Sequence, residues 1–306
     1  MTKTRIGIPK ALPYYRYKTF WAIFFTKLGC RVVFSDETTK KTIKEGTRFS
    51  IDESCLPMKI YMGHVYSLID KCDYILVPRI ENYGKNEKAC IRFNGIYDIV
   101  KNYFPNIKII NYNIEKTKNT SELLDFIKIG TILTKNPVKT IYSYYLAKKS
   151  QKKQDEQELK KQKSVLASSN LKVLLVSHPY NTNDNYIGKP IINKLKEMKI
   201  EIIDSYITDK KIAKKNAKNL SPTLYWTLSK ELIGSIDYYK KYIDGIIFLT
   251  TFPCGPDSLV NELVIRKIDN IPSINIIIDE LNSDTGLETR IESFIDILKE
   301  RRKQNE

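Results

Sequence analysis

Short apolar runs alternate along this chain with segments whose apolar residues recur at helical spacing. In the first half the runs Arg5–Pro9, Arg31–Ser35, Tyr74–Arg79 and Ile107–Tyr112 predict four strands, because β-branched and aliphatic residues bounded by turn residues suit buried sheet positions. Between them, Tyr14, Tyr17, Phe20, Trp21, Phe24, Phe25 and Leu28 define one face of a helix that Gly29 ends. The polar stretch from Thr38 to Phe49 reads as a short helix plus loop. Met58, Tyr61, Met62, Val65 and Leu68 mark a helix starting near Ser54 or Cys55, with Pro57 in its first turn. After the third strand, a polar loop from Glu81 to Lys88 leads to Cys90 and a further helix. Helical pattern resumes at Ser121 and runs to about Lys163, broken at Pro137.

The second half repeats the plan. Strands are predicted at Lys172–Ser177, within Ile200–Ile207, at Gly245–Thr251 and at Ser273–Asp279. Helices are predicted around Ile191–Met198, near Leu224–Ile236, after Cys254, and over the closing segment with Leu287, Ile291, Phe294, Ile295 and Leu298. Strands alternating with helices are the signature of parallel α/β layers. The expected architecture is therefore α/β: two flavodoxin-like or Rossmann-like parallel-sheet domains, with helices on both faces, joined by a helical linker. The expected boundaries are 1–165 and 166–306, and the natural strand order in each sheet is 2-1-3-4.

Composition narrows the function classes. A chain of 306 residues accommodates two ordinary domains. No run reaches the ~18 apolar residues of a membrane span, and the start of the chain carries no signal-peptide core, so no membrane association and a cytoplasmic location are expected. The net charge of +16 raises nucleic acid as a partner. The densest basic block, Lys148 to Lys163, is interrupted by Asp155, Glu156 and Glu158 and holds no interleaved aromatics, which favours a solvated helix face instead.

Five cysteines without a secretory context favour metal binding or free thiols over a disulfide framework. In open α/β sheets ligands bind beyond the carboxyl ends of the strands, at the switch point. Cys254 follows the Gly245–Thr251 strand and precedes a helix, between Pro253 and Gly255-Pro256. Cys55 starts a helix on the corresponding edge, and Cys90 sits in the loop after the third strand. Cys55, Cys90 and Cys254 can then face one inter-domain cleft, whereas Cys30 and Cys72 stand before strands, at the opposite edge, and read as structural. Three thiolates from separate loops suit a soft metal, although their spacings match neither a zinc ribbon nor a ferredoxin motif.

A resemblance sharpens this. Ile6-Gly7-Ile8-Pro9-Lys10-Ala11-Leu12, Glu53-Ser54-Cys55-Leu56-Pro57-Met58-Lys59, Gly63-His64-Val65, Pro78-Arg79, His178-Pro179-Tyr180-Asn181, Cys254-Gly255-Pro256-Asp257-Ser258 and Asp279-Glu280 through Phe294 resemble the acyl-CoA dehydratase activase-related family. That family is similar to the iron–sulfur subunits of 2-hydroxyacyl-CoA dehydratases (the 2-hydroxyglutaryl-CoA dehydratase D-component among them) and of benzoyl-CoA reductases. The resemblance implies a 4Fe–4S cluster held by Cys55, Cys90 and Cys254 in the inter-domain cleft. It also implies anaerobic, low-potential electron transfer or radical chemistry on a CoA thioester, with an ATP-dependent activase or related subunit as partner. It leaves open the substrate, the oligomeric state, and whether the chain is a reductase or dehydratase component or an electron relay. No Walker-type loop is present, which assigns ATP to a partner. A non-catalytic small-molecule or zinc-binding module using the same cleft is the alternative.

His178, Arg79 and Asp257 lie at the ligand edge and are candidates for contacts around the cluster or substrate. Competing structural roles are an inter-domain ion pair for Arg79 and a helix cap for Asp257. His64 reads as packed or surface. Glu280 and Arg290 read as a structural pair holding the closing helix.

Overall fold

In the computed structural model, residues 3–117, 121–268, 270–281 and 284–305 are described. Asn282 and Ser283, inside the Asp279–Phe294 segment of resemblance, lie outside them. The chain divides into two compact units: residues 1–156 with 225–227, and residues 157–224 with 228–306.

The first unit contains β1 (Arg5–Ile8), α1 (Tyr14–Leu28), β2 (Arg31–Phe34), α2 (Lys40–Arg48), α3 (Leu56–Leu68), β3 (Tyr74–Leu76), β4 (Arg79–Asn82), α4 (Ile91–Tyr103), β5 (Ile109–Ile110), β6 (Asn113–Glu115), α5 (Glu122–Thr134) and most of α6 (Pro137–Leu166). Its main sheet is parallel with order β2-β1-β3-β5, the expected 2-1-3-4 arrangement. The strand expected over Tyr74–Arg79 is two strands. The chain leaves the main sheet after Leu76, and β4 pairs in parallel with β6 as a separate two-stranded ladder. Residues 81 and 82 of the expected polar loop therefore belong to a strand.

The second unit contains the end of α6, then β7 (Lys172–Val176), α7 (Pro179–Thr182), α8 (Lys189–Glu197), β8 (Glu201–Asp204), α9 (Lys210–Leu220), α10 (Thr227–Tyr239), β9 (Gly245–Thr251), α11 (Gly255–Ile265), β10 (Ser273–Ile278) and α12 (Asp284–Asn305). Its sheet is parallel with order β10-β9-β7-β8, again 2-1-3-4 counted within the unit. Every residue of β7 and β9 is buried, as central parallel strands covered on both faces require. The edge strand β10 keeps exposed positions, Ser273 and Ile277 among them.

Aromatic packing builds the first core. Phe20 and Phe24 stack on each other and each meets Phe126 edge to face, and Trp21 Nε1 donates to the Tyr112 hydroxyl at 2.9 Å. That hydrogen bond lets an indole be buried without an unpaired donor. The position of α3 is set by a close crossing with α2. A Cβ on Gly63 would lie 2.0 Å from the Thr42 carbonyl oxygen, and one on Gly46 would lie 1.7 Å from that of Lys59. Only hydrogen side chains permit this backbone approach. His64, buried next to Gly63, bonds through Nε2 to the Thr38 hydroxyl at 3.0 Å, so it is a packed residue. No helix among the described residues is long and apolar enough to cross a membrane.

Candidate functional site

Three of the five cysteines occupy one kind of position. Cys55 is the N-cap of α3, Cys90 of α4 and Cys254 of α11, and none makes a side-chain cap hydrogen bond. Cysteine is not a favoured cap, since it cannot satisfy first-turn amides as Ser, Thr or Asp does. The local sequence explains the helix starts. Pro57 and Pro256 stand in the first turns, where a missing N–H costs nothing. At an N-terminus, unpaired amides and the helix dipole favour an anionic sulfur. All three residues are half-buried.

Cys30 and Cys72 differ. Cys30 is buried at the start of β2, and burial raises its thiol against the opposing pull of Lys139. Cys72 donates to the Leu68 carbonyl at 3.1 Å, and burial raises its thiol too. None of the five forms a disulfide.

Within the first unit the segments leading to Cys55 and Cys90 meet. Arg92 Nη2, in the first turn of α4, donates to the Glu53 carbonyl at 3.3 Å. The Cys90 loop is held from a second side by residues distant in sequence. Lys88 forms an isolated parallel bridge with Trp226; its amide donates to the Tyr225 carbonyl at 2.9 Å, and its carbonyl accepts from the Thr227 amide at 3.1 Å. The Thr227 hydroxyl donates to Glu87 Oε2 at 2.9 Å. The helix expected from Leu224 thus starts at Thr227, because 225–227 are engaged in this ladder. Arg79, on β4, forms an ion pair with Asp98 and lies 5.8 Å from the Tyr97 ring centroid. Its Nε is buried without a partner. The competing structural role for Arg79 is thus an ion pair inside one unit.

Within the second unit, Cys254, His178 and Asp257 come together at the carboxyl edge of the sheet. His178 caps α7 after β7, and Asp257 lies in the first turn of α11 after β9. His178 Nε2 lies 2.9 Å from Asp257 Oδ1, with side chains only 5% and 7% exposed. The Cys254 side chain hydrogen-bonds the same carboxylate. Burial pushes the Asp257 carboxyl up, but His178 and Cys254 outweigh it and hold it below the ordinary carboxylate value. Tyr180 stacks on His178, with ring centroids 4.9 Å apart. Arg290 donates to the Asn275 carbonyl at 2.7 Å, and Tyr186 donates to the Glu280 carbonyl at 3.3 Å.

The same edge holds a feature that the sequence reading missed. Asn181 is fully buried, and neither its Nδ2 nor its Oδ1 has a hydrogen-bond partner in the protein; the buried Thr182 Oγ1 is in the same condition. A buried polar group left unpaired costs about 1–3 kcal/mol. Asn181 closes the His178–Asn181 segment of resemblance, but nothing in the sequence tells that its side chain is enclosed without a partner.

Among the described residues, no group of three or more His, Cys, Asp or Glu side chains is arranged to hold a metal ion. The donor set at the three helix starts is nevertheless of the right chemical kind: thiols at anion-favouring positions, half-buried.

Several solved structures are similar to the chain at low identity. The SBP FpvC of Pseudomonas aeruginosa in complex with Ni2+ is 12% identical, with 97% of this chain and 96% of that one covered, at a TM-score of 0.29. ZnuA is 10% identical, with 96% and 99% covered, at 0.28. A sugar transporter from Clostridium phytofermentans is 12% identical, with 98% and 94% covered, at 0.19. At these scores the likeness establishes neither fold nor function. No curated protein matches the chain. A family model described as the CoA enzyme activase uncharacterised domain (DUF2229) matches residues 5–207, so the chain belongs to that family of CoA enzyme activase-related proteins.

Proposed function

We propose that this protein binds a 4Fe–4S cluster through Cys55, Cys90 and Cys254 and serves a CoA-thioester enzyme of the 2-hydroxyacyl-CoA dehydratase or benzoyl-CoA reductase type. The observation that carries the reading is the shared placement of these three cysteines at helix N-caps, while Cys30 is buried and the Cys72 thiol is bonded to the Leu68 carbonyl. Membership of a CoA enzyme activase-related family supports the metabolic setting. In this reading both parallel sheets are flavodoxin-like, and the ligand-bearing loops follow their carboxyl edges.

When bound, such a cluster supplies a low-potential one-electron carrier. The residues of the chain do the rest. Each helix N-terminus favours the anionic form of its cysteine. Asp257, fixed by His178, orients Cys254. Arg92 ties the Cys55 segment to the start of α4 and so limits the relative motion of two ligands. Exposed apolar side chains flank the cysteines: Ile91 is 78% exposed beside Cys90, and Phe252 is 61% exposed two residues before Cys254. These give an activase or partner subunit apolar contacts next to the cluster ligands.

The test is anaerobic purification and reconstitution with iron and sulfide. A brown protein with about four irons and four sulfides per chain is expected. Folded protein that stays colourless and iron-free overturns the reading. Zinc at stoichiometric level in elemental analysis favours a zinc-binding module instead.

A further inference from the structure

We infer that the carboxyl edge of the second sheet carries a binding site for a compact, uncharged amide group, recognised by the Asn181 carboxamide and the Thr182 hydroxyl. This is separate from cluster binding, and its residues lie wholly within the second unit.

The argument is one of contrast among neighbours. The polar side chains buried at this edge mostly satisfy each other or the backbone. Ser177 Oγ donates to the Leu249 carbonyl at 2.6 Å, and Ser205 Oγ accepts from the Ser177 amide at 3.2 Å. His178 and Asp257 satisfy each other. Asp184 Oδ1 accepts from the Tyr186 and Ile187 amides at 2.8 and 3.1 Å. Asn181 and Thr182, on α7 and packed toward β9, are exceptions, with Thr250 Oγ1 on β9 beside them.

Nor is the backbone free to turn these side chains elsewhere. The Asn181 and Thr182 amides both donate to the His178 carbonyl. Gly188 lies so close that a Cβ on it would stand 2.4 Å from the Asn181 carbonyl oxygen and 2.3 Å from that of Thr182. The turn is locked, and it holds a complete carboxamide in the interior with its donor and acceptor unused. Buried polar atoms in native proteins are nearly always satisfied, so this group calls for a partner that the chain itself does not supply.

The chemistry of the ligand follows. A carboxamide offers a donor and an acceptor side by side, and a hydroxyl offers either role. The complement is a group with the same pairing reversed, which is another amide. A charged ligand is disfavoured, because Asp257 is already engaged by His178 and a buried charge without a partner is costly. The Tyr180 ring stacks on His178 immediately before these two residues.

The test uses the full chain and simple probes. N-methylacetamide, glycerol and acetate are titrated separately while side-chain amide resonances are followed by NMR; the Asn181 pair is identified by its disappearance in Asn181→Leu. N-methylacetamide is expected to shift that pair saturably, with glycerol and acetate inert. Thr182→Val should weaken binding about 2- to 10-fold. Asn181→Leu should abolish it while raising the melting temperature by about 2–4 °C, since an apolar side chain of similar shape removes an unpaired group. Absence of saturable binding, equal binding of glycerol or acetate, or unchanged binding in both variants overturns the inference. No binding together with a lowered melting temperature in Asn181→Leu identifies the amide as a structural group served by internal water.

Discussion

His178 and Asp257 come from two different strand ends and meet at 2.9 Å in the interior of the second unit, where Asp257 also holds Cys254. The pair ties the turn after β7 to the first turn of α11. Because both partners are buried, removing one leaves the other uncompensated. Asp257→Ala is therefore expected to destabilise the protein by about 3–5 kcal/mol, read from the denaturant midpoint. A loss below about 1 kcal/mol would show that the pair is solvated.

Asp257 also predicts an acid limb. Its folded carboxyl lies below the ordinary value, so its contribution is present above the unfolded carboxylate pKa of ~3.9 and is lost as pH falls toward the lower folded value. Asp257→Asn should flatten stability across that range, measured by denaturation at stepped pH.

His64 acts in a higher window. Burial lowers its pKa from 6.5 to about 4, outweighing the opposing pull of Glu37. The folded state keeps it neutral while the unfolded chain takes up a proton, so stability is full above pH 6.5 and falls between pH 6.5 and 4. The expected loss is about 3 kcal/mol across that window. His64→Gln, which can still bond Thr38, should remove this slope; an unchanged slope assigns it to other groups.

Gly63 fixes the height at which α3 presents Cys55. Gly63→Ala would place a Cβ 2.0 Å from the Thr42 carbonyl oxygen, so α2 and α3 must separate. A destabilisation of about 1–3 kcal/mol is expected by chemical denaturation. After reconstitution with iron and sulfide, the variant should also bind less iron than wild type.

For the cluster itself, Cys55→Ala, Cys90→Ala and Cys254→Ala should each lose iron and sulfide, while Cys30→Ala and Cys72→Ala should retain both. Iron loss with either of the last two, in protein that remains folded, would move the ligand set.

Much of the layered architecture is legible in the residues. The runs Lys172–Val176 and Gly245–Thr251, apolar over Val173–Val176 and Ile246–Leu249, are strands buried on both faces, and helical spacing marks α1, α3 and α12. The parallel order of both sheets follows from alternation and the handedness of crossovers. The reading failed where pairing is non-local. Nothing near Lys88 announces that Trp226 will bridge to it, and nothing in Arg79–Asn82 tells that β4 leaves the main sheet for β6.

By itself the sequence determined which stretches can be strand or helix and which cysteines start helices, because spacing, prolines and glycines act within a few residues of one another. Tertiary structure alone decided that Asp257 reaches His178, that Arg92 reaches Glu53, and that Asn181 is enclosed with its amide unused. Those outcomes depend on where chain segments far apart in sequence come to rest and on which polar atoms burial then deprives of water, and neither is written in any local pattern.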